Sequence, residues 1–301
     1  MTTFPYVIVN AWARSAFDGN PAVIIALPPG SLSQPETISE ETMIKITRTF
    51  AQPICVFLSL SPDDSTLLDV RYYINAYAPI FCGHGMFAST KALCTNALPS
   101  LGHWGPEVKF RTKAGTIVSA HMVTESESDD EMYEIALPAA PVATCLDAET
   151  ARIASIVSEA AGRDVQIEHI VKGDGNMDKY VMIVVGPNEN LGDMKLDIEV
   201  LRKTSYFTNI ITQATPDADQ VFVSRVFAPV ADLPEDPVCG SAHTLIVPYW
   251  VARLGKKNRE EMHVRQVSPR GGELWVAWDQ DTGLVRLKGY AKAFGKGEFT
   301  I

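Results

Sequence analysis

Glu235-Asp236-Pro237-Val238-Cys239-Gly240-Ser241-Ala242 is the stretch from which this chain is best read, together with its counterpart Phe81-Cys82-Gly83-His84-Gly85. Each places a Cys-Gly pair directly before a run that reads as the start of an apolar helix. A helix N-terminus carries unpaired backbone N–H groups and the positive end of the dipole. It therefore suits a carboxylate or a thiolate. Two such turns, far apart in the chain, suggest one enzyme site assembled from two lobes.

Working outward, the segment after each turn reads as a helix. Gly85–Leu98 is rich in small residues and ends at Pro99. Ala242–Leu254 stops at Gly255, and Pro248 inside it is expected to produce a kink. Strands are expected before the first turn at Tyr6–Asn10, Ala22–Ala26, Ile54–Leu60 and Leu67–Ile74. Between the early strands, Ser39–Phe50 reads as a helix with Ser39 as N-cap, Glu40 and Glu41 in its first turn, and Met43, Ile46 and Thr47 on one face. Val108–Val123 reads as two strands around Lys113-Ala114-Gly115. The acidic segment Thr124–Glu131 reads as a solvated loop and a lobe boundary. Beyond it come a strand at Tyr133–Leu137, a helix at Glu149–Ala161, and strands at Lys179–Val185, Gln220–Phe227, Glu273–Trp278, Leu284–Gly289 and Ala293–Ile301. The pattern is two loosely equivalent halves, residues 1–124 and 130–301, with the last strand free to return to the first half.

Composition narrows the function. At 301 residues, about two domains is the reasonable expectation. A net charge of −10 and a pI near 5.1 argue against nucleic acid or an anionic membrane as partner. No apolar run approaches the roughly 18 residues of a membrane span, and Met1–Val9 reads as a first strand rather than a signal peptide. The five cysteines, Cys55, Cys82, Cys94, Cys145 and Cys239, form an odd set without Cys-x-x-Cys spacing. That pattern points to a reducing, cytoplasmic setting and offers no metal site. Lys172-Gly173-Asp174-Gly175 lacks the pattern of a phosphate-binding loop.

Gly19-Asn20-Pro21-Ala22, Phe81-Cys82-Gly83-His84, Arg225-Val226-Phe227-Ala228-Pro229, Glu235–Ala242 and Arg270-Gly271-Gly272-Glu273-Leu274, in this order, resemble the phenazine-biosynthesis PhzF-like family. The resemblance implies an α+β fold of two similar lobes, each a curved, mostly antiparallel sheet around a central helix, and kinship with diaminopimelate epimerase and proline racemase. It also implies a homodimer, a small carboxylate-bearing substrate and no cofactor. In the isomerases of that family a glutamate moves a proton with help from a histidine and an aspartate. His84 and Asp236 match the latter two. Ile54 stands in the glutamate's place, and it has no proton to exchange.

Three mechanisms stay open at this point. Cys82 and Cys239 resemble the paired cysteines of the racemases, in which one thiol removes a proton and the other delivers one. In that case the chain is a cofactor-independent epimerase or isomerase. The plain alternative is that both cysteines are small apolar residues. In a second scheme Asp236 and His84 carry the acid–base work. In a third, a pocket walled by Ile54, Phe81, Met86 and Phe87, with Ala78 nearby, folds a biosynthetic intermediate toward cyclisation, or merely binds it, by shape. The expected catalytic residues are Cys82, His84, Asp236 and Cys239. Asn20, Ile54, Gly83, Gly85, Gly240 and Ser241 are expected to bind substrate, with His243 supporting them.

Overall fold

The computed structural model describes residues 1–33, 37–75, 77–123, 131–215, 219–231 and 233–301. Of the acidic segment read as a loop, Thr124–Glu131, residues 124–130 lie outside them. The chain forms two compact units: Met1–Ala136 with Lys288–Ile301, and Leu137–Leu287.

The first unit contains β1 (Thr3–Ala11), β2 (Asn20–Ala26), α1 (Glu40–Phe50), β3 (Ile54–Leu60), β4 (Leu68–Tyr73), α2 (Gly83–Cys94), β5 (Glu107–Arg111), β6 (Ile117–Val123) and most of β7 (Met132–Pro138). Helix α1 starts where its sequence signals a start, with Ser39 Oγ accepting the Thr42 N–H at 3.1 Å. Its Met43, Ile46 and Thr47 are buried, and the two apolar ones join Phe4, Val23, Ile25, Phe57 and Tyr73 in one core. Helix α2 behaves differently. It is buried all round from Gly83 to Thr90 and packs on β1, β2, β3, β5 and β6, so it is the central helix of this unit.

The second unit contains β8 (Val142–Thr144), α3 (Asp147–Ala161), β9 (Ile167–Gly173), β10 (Tyr180–Val185), α4 (Ile198–Leu201), β11 (Thr208–Ala214), β12 (Phe222–Ala228), β13 (Leu233–Asp236), α5 (Gly240–Leu254), β14 (Met262–Gln266), β15 (Gly272–Asp279) and the start of β16 (Leu284–Thr300). Helix α5 is its all-buried central helix. Gly255 closes it in the left-handed conformation at φ 62°, as expected of a glycine just past a helix end. The helix continues through Pro248. A proline has no N–H, which would leave the Thr244 carbonyl one turn back without its usual donor. That carbonyl instead accepts the Ala140 N–H at 3.0 Å. The proline is tolerated because another part of the unit satisfies the group it orphans.

The two units repeat one strand plan. In the first, β1/β2 pair antiparallel, β2/β3 parallel, β3/β4 antiparallel, β4/β5 parallel and β5/β6 antiparallel. In the second, β9/β10, β10/β11, β11/β12, β12/β14 and β14/β15 follow the same alternation. In both, the central helix lies in the crossover joining the second parallel pair, so each Cys-Gly turn sits at the corresponding point of its unit. The two C-terminal strands expected from the sequence form one strand, β16, which pairs with β1 from Ala11↔Ala291 to Thr3↔Thr300. The ladder steps from Ala293 to Gly295 opposite Val9 and Ile8. Phe294 is the extra residue of a bulge and stands exposed. Among the described residues, no helix is long and apolar enough to cross a membrane.

Candidate active site

The residues singled out from the sequence fall into two sets, one in each unit. In the first unit, Cys82 is the N-cap of α2, in extended conformation at φ −141° and ψ 114°. The thiol is partly exposed, and its Sγ lies 3.3 Å from His84 Nδ1. The His84 ring is buried, and that burial pushes its pKa down to about 3, so the imidazole is neutral. Its Nε2 is buried without a hydrogen-bond partner. A neutral imidazole touching a thiol can accept a hydrogen bond from it, and the burial that keeps this ring neutral also makes it a weak base.

The fold explains the glycine at position 85. A Cβ on Gly85 would stand 2.9 Å from Val56 Cγ2 and 3.2 Å from the Tyr72 ring. Glycine here lets α2 lie directly on β3 and β4. Tyr72 is fully buried, its hydroxyl has no partner, and burial with the nearby Cys82 raises its pKa well above the ordinary value. Asn20 opens β2 and Ile54 opens the adjacent β3, two residues apart in register, since Ala22 pairs with Ile54. Both are fully buried.

In the second unit, Asp236 ends β13 opposite Val226, and Cys239 is the N-cap of α5. The turn between them is held from below. Gln266 accepts the Cys239 N–H at 2.9 Å and donates its own amide to the Asp236 carbonyl. Ser268 Oγ donates to the Pro237 carbonyl at 2.7 Å. Upstream, Arg225 grips Glu235 with two parallel bonds of 2.7 and 2.8 Å.

Cys239 is buried, and its pKa lies well above the ordinary value, first through burial and then through the Asp236 carboxylate. The helix N-terminus is outweighed, so this thiol keeps its proton. Its Sγ is 3.4 Å from Ser241 Oγ, which is 3.2 Å from the Tyr180 hydroxyl. His243 is fully buried, with Nδ1 2.7 Å from the Cys239 carbonyl. A carbonyl only accepts, so Nδ1 carries the proton. Burial lowers this pKa to about 4. Of the residues around the two turns, Tyr72, Tyr180 and Gln266 carry no sequence signal. Each lies on a strand remote from the turn, and only the sheet brings it there. Among the described residues, no cluster of three or more His, Cys, Asp or Glu side chains could hold a metal ion.

The two depressed histidines have a measurable consequence. Their folded pKa values lie below the ordinary 6.5, so the unfolded chain takes up protons first as pH falls. The stability they confer is full above about pH 6.5 and is lost on acidification. The urea midpoint should therefore drop between pH 7 and 5, with linked uptake approaching two protons. A flat midpoint across that window would mean that solvent already reaches both rings.

A family model described as phenazine biosynthesis-like protein matches residues 9–297, nearly the whole chain. The chain belongs to this family. A relative from Halalkalibacterium halodurans, named an uncharacterized isomerase, is 25% identical over 310 residues, covering 100% of both chains. The crystal structure of a PhzF-family phenazine biosynthesis protein from Enterococcus faecalis superposes with a TM-score of 0.78 at 25% identity, again over 100% of both chains. A structure of a probable proline racemase from Agrobacterium radiobacter, with bound carbonate, superposes at 0.56 and 12% identity, covering 99% of this chain and 93% of that one. The fold is thus the α+β fold that the family shares with the racemases.

Proposed function

We propose that this chain is a cofactor-independent isomerase that moves a proton on a small carboxylate-bearing molecule. Cys239 acts as proton donor, and the Cys82 sulfur, oriented by its contact with His84, acts as proton acceptor. The observation carrying this reading is that the two cysteine turns have contrasting surroundings. One thiol is buried beside a carboxylate and stays protonated; the other is partly exposed and lies 3.3 Å from a neutral imidazole. A proton transfer needs one group of each kind. First-turn N–H groups at Gly83, His84, Gly240 and Ser241 are of the type that holds a substrate carboxylate. The isomerase name carried by the Halalkalibacterium relative agrees with this class.

The test is incubation with a panel of small 2-substituted and unsaturated carboxylates in D₂O, followed by proton NMR. The expected result is enzyme-dependent loss of the signal from hydrogen on the carbon next to the carboxylate, or one double bond removed. A second reading is favoured by Ile54, fully buried and apolar, at the position that the sequence resemblance gives to the family's glutamate. On that reading the pocket orients an intermediate for cyclisation. Ligand binding or product formation without solvent deuterium would overturn the proton-transfer reading in its favour.

A further inference from the structure

We infer that Tyr180 is a positioning residue for the Cys239 thiol, acting through the hydroxyl of Ser241. The inference rests on the reading of Cys239 as the proton donor and adds the device that lets this thiol release its proton.

The difficulty is plain from the surroundings. Once Cys239 gives its proton away, a thiolate remains in a buried place beside the Asp236 carboxylate, and both burial and the like charge oppose it. Some donor must offset this. The Ala242 N–H does so from the first turn of α5, and the Ser241 hydroxyl, 3.4 Å from Sγ, is a side-chain donor beside it. A serine has a single proton and a freely rotating O–H, and a donor aimed at its lone pairs turns that proton toward the sulfur. The Tyr180 hydroxyl, 3.2 Å from Ser241 Oγ, is placed to be that donor.

Tyr180 opens β10, which lies between β9 and β11, so its backbone is fixed by strands on both sides. Burial and the negative groups nearby push its pKa up to about 12, and it stays a protonated donor throughout neutral pH. The backbone of Ser241 is held as well, since its carbonyl accepts Thr244 Oγ1 at 2.7 Å. In the inferred arrangement Tyr180 O–H donates to Ser241 Oγ, and Ser241 O–H donates to Cys239 Sγ. The substrate need not touch Tyr180.

The titratable groups facing Cys239 are Asp236 from β13, Tyr180 from β10 and His243 from α5, while Gln266 from β14 presents a neutral amide. His243 titrates near pH 4 and Tyr180 near pH 12, so a measurement over pH 7–9 reads the thiol. Below a thiol's pKa its alkylation rate is proportional to the thiolate fraction, and rate ratios between variants report the shift directly, tenfold per pH unit.

The experiment follows iodoacetamide alkylation of Cys239 in the full-length protein by peptide mass spectrometry. The variants are Tyr180→Phe, Ser241→Ala, Ser241→Thr and the Tyr180→Phe/Ser241→Ala double. Cys145, buried in the same unit, reports any general loosening. Tyr180→Phe should slow Cys239 alkylation about fivefold to tenfold, and Ser241→Ala about tenfold or more, the size expected for a hydrogen bond to a charged group. Ser241→Thr should stay near the parent. The double variant should match Ser241→Ala within about twofold, because a residue that acts through serine has nothing left to act on.

Additive effects, unchanged or faster alkylation in Tyr180→Phe, or parallel changes at Cys145 would overturn the inference. Solvent-deuterium exchange by Cys239→Ser separates it from the functional reading. If that variant keeps full exchange while the alkylation series behaves as described, the proton-donor assignment falls and the positioning of the thiol stands.

Discussion

Replacing Cys239 with serine, or Cys82 with alanine, should lower solvent-deuterium exchange on the carboxylate identified by the panel by about 10²–10⁴-fold, the usual contribution of one positioned acid or base. The two losses have different origins. Serine at 239 keeps the size of the thiol and its place 3.4 Å from Ser241, but its hydroxyl is a far weaker acid. Alanine at 82 removes the sulfur that touches His84 Nδ1, and with it the proton-accepting atom. Asp236→Asn is the informative companion. It removes the charge that helps keep Cys239 protonated, so exchange should survive with its pH dependence shifted downward. If Asp236→Asn abolishes exchange while Cys239→Ser retains it, the carboxylate is the acid–base group and the cysteine scheme fails.

Arg225→Leu should destabilise the protein by about 3–5 kcal/mol, the usual cost of leaving one member of a buried ion pair uncompensated. The guanidinium and Glu235 are 10% and 15% exposed, so little water would replace the lost partner. Arg225 also donates to the main-chain carbonyls of Leu191 and Met194, and those acceptors would be orphaned as well. Reversible urea unfolding measures the effect. Arg225→Leu/Glu235→Leu should recover much of the loss, since an apolar pair of similar volume often does as well as a buried ion pair. A single-variant loss below about 1 kcal/mol would show the pair to be solvated. Because Glu235 directly precedes Asp236, the arginine is also what anchors the approach to the Cys239 turn.

Much of the fold was legible because local signals and burial agree. Ser39, Gly255 and the Cys-Gly turns mark helix ends by backbone chemistry that the structure reproduces. The strands that escaped notice were those whose pattern is broken by polar residues. Strand β11 is buried along most of its length, yet reads Thr-Asn-Ile-Ile-Thr-Gln-Ala. The structure resolves the conflict locally: Thr212 Oγ1 donates to the Val223 carbonyl and accepts the Trp250 indole N–H. Gln213 spans the carbonyls of Gly186 and Pro187 and the Leu191 N–H. Such satisfaction depends on partners far along the chain and leaves no periodic trace. At the turns, the identities of Cys82, His84, Asp236 and Cys239 could be read directly. The protonated state of Cys239 could not, because it depends on burial outweighing the helix N-terminus. Tyr180 lies 61 positions from Ser241, and nothing in the sequence joins them.

The path of the chain through its two units has a consequence for how the protein is made. The first unit is begun by Met1 but needs Lys288–Ile301 to be complete, whereas the second is one unbroken segment. On a ribosome, which releases the N-terminus first, β1 emerges early and must wait for the final strand of β16 to pair along its open edge. An unpaired strand edge invites association with other chains. The half that is synthesised first is therefore closed only after the second unit has been made, and the newborn chain carries that exposed edge until β16 appears.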